Sequence, residues 1–143
     1  MKRYAGRVCG VATGVMLATT VPLGTAQAEE IVGFTSPSGN IGCMLDSSSV
    51  RCDIRDRTWS PPPRPSDCVD VMNFGQGIIL NVGKPARFVC AGDTALDGGP
   101  ALPYGEKIVR GSLECLSAPS GMSCWDFVNG GSFEISRDEF YLV

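Results

Sequence analysis

Four aspartates, Asp67, Asp70, Asp93 and Asp97, have both the chemistry and the loop setting to act on a substrate. Paired carboxylates work as general acid and base in glycoside hydrolysis. The stretch Asp93-x-x-x-Asp97-Gly98-Gly99 also offers oxygen donors of the kind calcium takes. Little else supports catalysis. The chain has no histidine, which removes His-dependent triads, most zinc hydrolase sites and histidine general bases. The Asp93 to Asp97 spacing lacks the alternating acidic positions of an EF-hand loop, and aspartate in loops ordinarily caps turns. Gly98-Gly99 and Gly130-Gly131 follow no strand-to-helix pattern, so no phosphate cradle is expected. The reading is of a non-enzyme with no cofactor and no metal.

The cysteines are more informative, and their meaning depends on the compartment. Met1-Lys2-Arg3-Tyr4-Ala5-Gly6-Arg7 precedes an uncharged apolar run from Val8 to Leu23, then Ala26-Gln27-Ala28 and Glu29-Glu30. A basic start, a short apolar centre and a small-x-small site predict a secretory signal peptide over residues 1–28, cleaved after Ala28. The apolar run is too short for a comfortable span and nothing later is apolar enough to be one, so no stable membrane insertion is expected after cleavage. Residues 29–143 then form one domain. Lys2, Arg3 and Arg7 leave with the leader, which takes the formal charge from −3 to about −6, a balance that argues against nucleic acid as a partner. Of seven cysteines, Cys9 leaves as well. The remaining even number, in a secreted or envelope-associated chain, predicts a disulfide framework.

The elements that hold this framework are hairpins. With Ser47-Ser48 as a two-residue loop, Asp46 opposes Ser49, Leu45 opposes Val50, Cys43 opposes Cys52 and Ile41 reaches Ile54. Ile41, Cys43, Leu45, Val50, Cys52 and Ile54 then share one face. Directly opposed cysteines suit a bridge. Gly111 to Cys124 echoes this pattern with the same gap between Cys115 and Cys124, around an Ala118-Pro119-Ser120-Gly121 turn. Pro-Ser-Gly occurs at 37–39 and again at 119–121, a loose duplication. Cys68 and Cys90 pair by elimination. The chain-entropy argument makes that longer ring worth about 0.7 kcal/mol more than either short one.

A third hairpin spans Gln76 to Cys90 with Gly83-Lys84-Pro85 as its loop, opposing Val82 to Ala86, Leu80 to Phe88 and Ile78 to Cys90. A fourth, with a three-residue loop Asn129-Gly130-Gly131, puts Trp125, Phe127, Phe133 and Ile135 on one face. Glu106 to Leu116 reads as one extended segment, and Ser136-x-x-Glu139 as a capping box for a short helical turn. Between Arg55 and Asp67, the prolines at 61, 62, 63 and 65 force an extended surface crossing tied down at Cys68. The fold class expected is all-β: a small disulfide-stapled antiparallel sandwich or partly open barrel of about seven or eight strands, with little helix.

Phe34-x-Ser36-Pro37-Ser38-Gly39-Asn40-Ile41-x-Cys43, Val50 to Ile54, Gly83, Phe88, Cys90, Asp93-Thr94, Tyr104-Gly105, the Cys115/Cys124 hairpin and Gly131-x-Phe133-x-Ile135-Ser136-Arg137 together resemble a family of small exported actinobacterial proteins of unknown function. The likeness covers nearly the whole of residues 29–143. Phe74-Gly75 stands where that family is expected to have Trp-Gly. The resemblance implies export and carries no assigned activity or catalytic residue.

Three functions fit these features. The first is a secreted binding module meeting a protein or cell-envelope partner, with Trp59, Arg64, Asp70 and Asp93 as the candidate contact residues. Aromatic and arginine side chains are enriched at binding hot spots. The second is a protease inhibitor presenting the stiff Arg57–Pro65 loop. The third is a carboxylate-only hydrolase acting on envelope glycan through Asp70 and Asp93.

Overall fold

A computed structural model describes Gly24 and residues 30–143, so the expected signal peptide over residues 1–28, Gly24 apart, lies outside the described residues. The domain contains ten strands and, among the described residues, no helix. The strands form two five-stranded antiparallel meanders. The first holds β1 (Val32–Thr35), β2 (Ile41–Leu45), β3 (Ser49–Ile54), β4 (Asn73–Asn81) and β5 (Arg87–Ala91) in that order. The second holds β6 (Lys107–Arg110), β7 (Leu113–Ala118), β8 (Gly121–Asp126), β9 (Ser132–Ile135) and β10 (Phe140–Leu142), again in chain order.

The sheets pack face to face as a sandwich and do not close into a barrel, which decides between the two architectures expected. Their inner faces share one core that includes Leu45, Val50, Leu80, Leu113, Met122 and Phe133. At its centre the two short disulfides, Cys43–Cys52 and Cys115–Cys124, lie against each other, with Cys52 Sγ and Cys124 Sγ 4.0 Å apart. Each bridge joins the second and third strands of its sheet, so the duplication seen in the sequence is a duplication of the meander itself. The Cys43↔Cys52 and Cys115↔Cys124 registers are those expected, down to Leu45↔Val50, Ile41↔Ile54 and Ala118↔Gly121. Cys68 pairs with Cys90, also as expected.

Four local expectations are corrected. The β4–β5 hairpin pairs Ile78 with Phe88 and Phe74 with Cys90, across a bulge, instead of Ile78 with Cys90. Its loop opens because partners from elsewhere take its backbone. Val82 N–H donates to Ser48 O, Ala86 N–H to Val143 O and Gly83 N–H to an Asp126 carboxylate oxygen. The β8–β9 hairpin pairs Cys124 with Phe133 and Met122 with Ile135. That odd shift sends Trp125 and Phe127 away from the core, and Phe127 is 55% exposed. Its turn is organised by the buried Asp126, which accepts from Val128 N–H and Asn129 N–H. Residues 106–116 are two strands joined by a Gly111–Ser112 turn. Ser136 does cap Glu139, accepting its N–H at 3.1 Å, but the turn it closes is the β9–β10 hairpin, since Ser136 N–H donates to Glu139 O.

One segment covers the outer face of the first sheet. Residues 92–102 fold back over it, with Thr35 N–H donating to Pro100 O and Leu102 N–H to Thr35 O along the β1 edge. A side chain at Gly42 would collide with the backbone of Ala95 and Leu96, so the close approach requires glycine there. Strand β3 is therefore buried on both faces, Val50, Cys52 and Ile54 inward and Arg51 and Asp53 outward. The Arg51 guanidinium grips Asp53 through Nε (2.9 Å) and Nη2 (2.7 Å) and reaches Asp93 Oδ1 through Nη1 (2.6 Å). Asp53 also accepts from Thr94 Oγ1 and Ala95 N–H. Burial alone would push the Arg51 pKa down, but its bonds to Asp53 and Asp93 outweigh that and raise it.

Candidate functional site

The proline crossing is built against the edge of the sandwich where β5 and β10 lie over one another. Trp59 fills that edge. Its ring packs on Phe140 (4.8 Å between centroids) and Phe88 (6.0 Å), and its indole N–H donates to Ser136 O at 2.8 Å. Phe88 meets Phe140 edge-on at 5.0 Å and Phe74 at a tilt at 6.2 Å, so four aromatic rings close the edge in tilted and edge-to-face pairs. Arg57 lies over the Trp59 ring at 4.4 Å and donates to Gly75 O. Gly75 has φ +79°, and a side chain there would meet the Pro61 ring at 2.5–2.6 Å. The first proline of the run thus seats directly on β4.

Beyond Trp59 the crossing lifts off and walls a cleft of about 480 Å³. Pro62, Pro63 and Pro65 form one side, Phe74, Ala86 and Phe88 the floor, and the Cys68–Cys90 bridge and Leu142 the ends, with Asp67 and Arg87 also on its lining. Proline fixes its own φ, which makes this wall stiff before any ligand arrives. The wall continues into two turns, marked by Cys68 N–H to Pro65 O and Met72 N–H to Val69 O. Arg64 ties them together, its Nη1 donating to Val69 O (3.0 Å) and Met72 O (2.9 Å). The tip of these turns is apolar and unprotected, with Val71 90% and Val69 58% exposed.

The candidate contact residues do not assemble into one surface. Trp59 is half-buried as the seal of the edge, and Arg64 braces the cleft wall. Asp70 is exposed on the turn tip. Asp93 lies on the opposite, outer face of the first sheet, where the Arg51 hydrogen bond and charge hold its carboxyl below the usual range. Asp97 pairs with Arg55 at 2.9 Å. Of the four aspartates, only Asp67 lines the cleft, and among the described residues no three Asp, Glu or Cys side chains group as a metal site would. The cleft's lining residues Phe74, Ala86, Phe88 and Leu142 carried no functional signal in the sequence. They read as strand residues, and four separate stretches of chain build the cavity.

A family model described as "Family of unknown function (DUF6636)" matches residues 13–143. The chain belongs to that family. No curated protein matches the chain, and no solved structure does. The family carries no assigned activity, so the geometry of the cleft is the guide to what this member does.

Proposed function

We propose that the chain is an exported, non-enzymatic binding module of an actinobacterial cell, and that its proline-walled cleft seats an apolar side chain of an extended partner segment. The leader-like start and the three disulfides support export, because such bridges persist in oxidising compartments. The observation that carries the binding reading is the preformed cleft. Its volume lies in the range of ligand sites, its lining is largely apolar, and a disulfide and three prolines fix its shape, which cuts the ordering cost of binding. Strand β5 supports an extended partner. It is the last strand of its sheet and carries Phe88 and Cys90 of the cleft lining, so a segment seated in the cleft runs alongside it.

The inhibitor reading fits less well. Arg57 is stacked on Trp59 and bonded to Gly75 O, and Arg64 is bonded back to Val69 and Met72, so neither can enter a protease pocket without losing its contacts. The hydrolase reading needs one carboxyl kept protonated near neutral pH. Asp93 is shifted the other way.

A display library of random peptides panned on the oxidised protein tests the proposal. It should enrich sequences sharing one aromatic or aliphatic anchor, with binding lost in Ala86→Trp, which fills the cleft, and weakened in the surface variant Pro63→Asp. Enriched peptides that bind both variants as well as the parent, or no enrichment at all, would refute it.

A further inference from the structure

The two Pro-Ser-Gly turns, far apart in sequence, meet at one end of the sandwich. There Ser38, Gly39, Asn40, Arg55, Arg57 and Arg137 line a polar groove of about 750 Å³, with Asp56, Thr58, Tyr104 and Pro119 completing it. A smaller extension of about 180 Å³ continues past Tyr104 and Arg137 to Ser120, Gly121 and Asp138. This groove is separate from the apolar cleft and shares no lining residue with it.

Its floor is fixed by bonds that leave several side chains free to face a ligand. Asn40 clamps the exit of β3 on both sides, donating from Nδ2 to Asp56 O (2.9 Å) and accepting Asp56 N–H at Oδ1 (2.8 Å). Thr58 N–H donates to Arg137 O at 2.8 Å, so Arg137 holds the wall through its backbone alone. Among the described residues no ion pair engages the Arg137 guanidinium. Of the three arginines on the lining, Arg55 is paired with Asp97 and Arg57 is held over the Trp59 ring and by Gly75 O, which leaves Arg137 to meet an anion, with Asp56 and Asp138 on the same lining. Tyr104 is 48% exposed and lines the groove with Pro119. The hydroxyls of Ser38 and Ser120 flank it.

Guanidinium forks match planar carboxylates, whereas an exposed aromatic ring and neighbouring hydroxyls match the faces and hydroxyls of a sugar. We infer that this groove binds an acidic glycan, reading the carboxylate of a uronic-acid unit with Arg137 and stacking the sugar ring on Tyr104. The repeated Pro-Ser-Gly would then be the paired rim of a saccharide site as well as a pair of turns.

Titration calorimetry on the oxidised protein tests this with trigalacturonate, galacturonate, maltotriose and inorganic phosphate as separate probes. Trigalacturonate should bind at least tenfold more tightly than maltotriose, and more tightly than the single sugar acid. Added salt should weaken its binding. Arg137→Gln and Tyr104→Ala should each weaken it at least tenfold, with far-ultraviolet circular dichroism unchanged, because neither side chain holds the fold. Ala86→Trp, in the other cavity, should leave it unaltered. Equal binding of maltotriose, phosphate binding as tight as the trisaccharide, indifference to Arg137→Gln, or no binding of any probe would each overturn the inference. A failure of peptide binding at the cleft would leave this result untouched.

Discussion

Asp53→Asn isolates the electrostatic contribution of the outer face, because it removes a charge without changing volume. Asp53 is fully buried and accepts four hydrogen bonds, from Arg51 Nε at Oδ1 and from Arg51 Nη2, Thr94 Oγ1 and Ala95 N–H at Oδ2. An asparagine amide must place its NH2 against donors in either orientation. It also leaves Arg51, itself 8% exposed, dependent on Asp93. Breaking a buried pair by removing one partner costs about 3–5 kcal/mol, and the remaining Asp93 contact puts this case near the lower end, at about 3 kcal/mol. Asp93→Asn removes only an exposed partner, and surface pairs are worth roughly 0–1 kcal/mol. Urea unfolding measures both. With m roughly 1.5 kcal/mol/M, Asp53→Asn lowers the midpoint by about 2 M and Asp93→Asn by under about 0.7 M. Equal midpoints for the two variants, or an Asp53→Asn midpoint matching the parent, would show that the outer face is not held by this pair.

Removing Cys43–Cys52 should cost more than removing Cys68–Cys90, reversing the order given by ring size alone. Cys43 and Cys52 are fully buried against the other staple, and each deleted core atom adds roughly 0.5–1.5 kcal/mol of packing loss. Thermal unfolding of the two double alanine variants decides it. Trp59→Phe should destabilise by about 1–2 kcal/mol through loss of the bond to Ser136 O and of ring contact, read as a lower urea midpoint with unchanged m. For Asp126, burial would raise the pKa. Hydrogen bonds from Gly83 N–H and the Asn129 and Ser112 side chains override it and hold the carboxyl well below its ordinary 3.8. A depressed folded pKa means that its stabilisation is full above the ordinary value and is lost as pH falls through the folded one. Stability should therefore be flat from neutral pH to about pH 5 and fall in acid, and Asp126→Asn should flatten that fall in a pH series of melts.

The sequence made the two stapled hairpins legible because two constraints agree there. Strict alternation fixes parity, and opposed cysteines fix the pair, so Cys43↔Cys52 and Cys115↔Cys124 left no freedom in register. The β8–β9 register failed where those constraints were not carried forward. With Cys124 facing inward, Met122 and Asp126 must face inward too, and counting Trp125 and Phe127 as core ignored that parity. A buried aspartate at the turn is a weak signal in composition and a strong one in three dimensions. The β4–β5 loop was unreadable for a different reason, since Asp126, Ser48 and Val143 open it from distant parts of the chain. For the covered outer face the sequence holds one faint trace, in Arg51 and Asp53. Opposite charges two residues apart on the polar side of an otherwise apolar strand were the available clue that something covers that side. The cleft had no local signature, because its prolines, its phenylalanines and Leu142 come together only when β5 lies over β10.

Backbone and methyl chemical shifts of the oxidised protein, followed while a library-selected peptide is titrated, test the central claim most directly. Perturbations confined to Phe74, Ala86 to Cys90, the Pro65 to Cys68 wall and Leu142 are the result expected of a preformed binding cleft. Perturbations centred on the Arg137 groove or the Asp93 face, with the cleft silent, would contradict it.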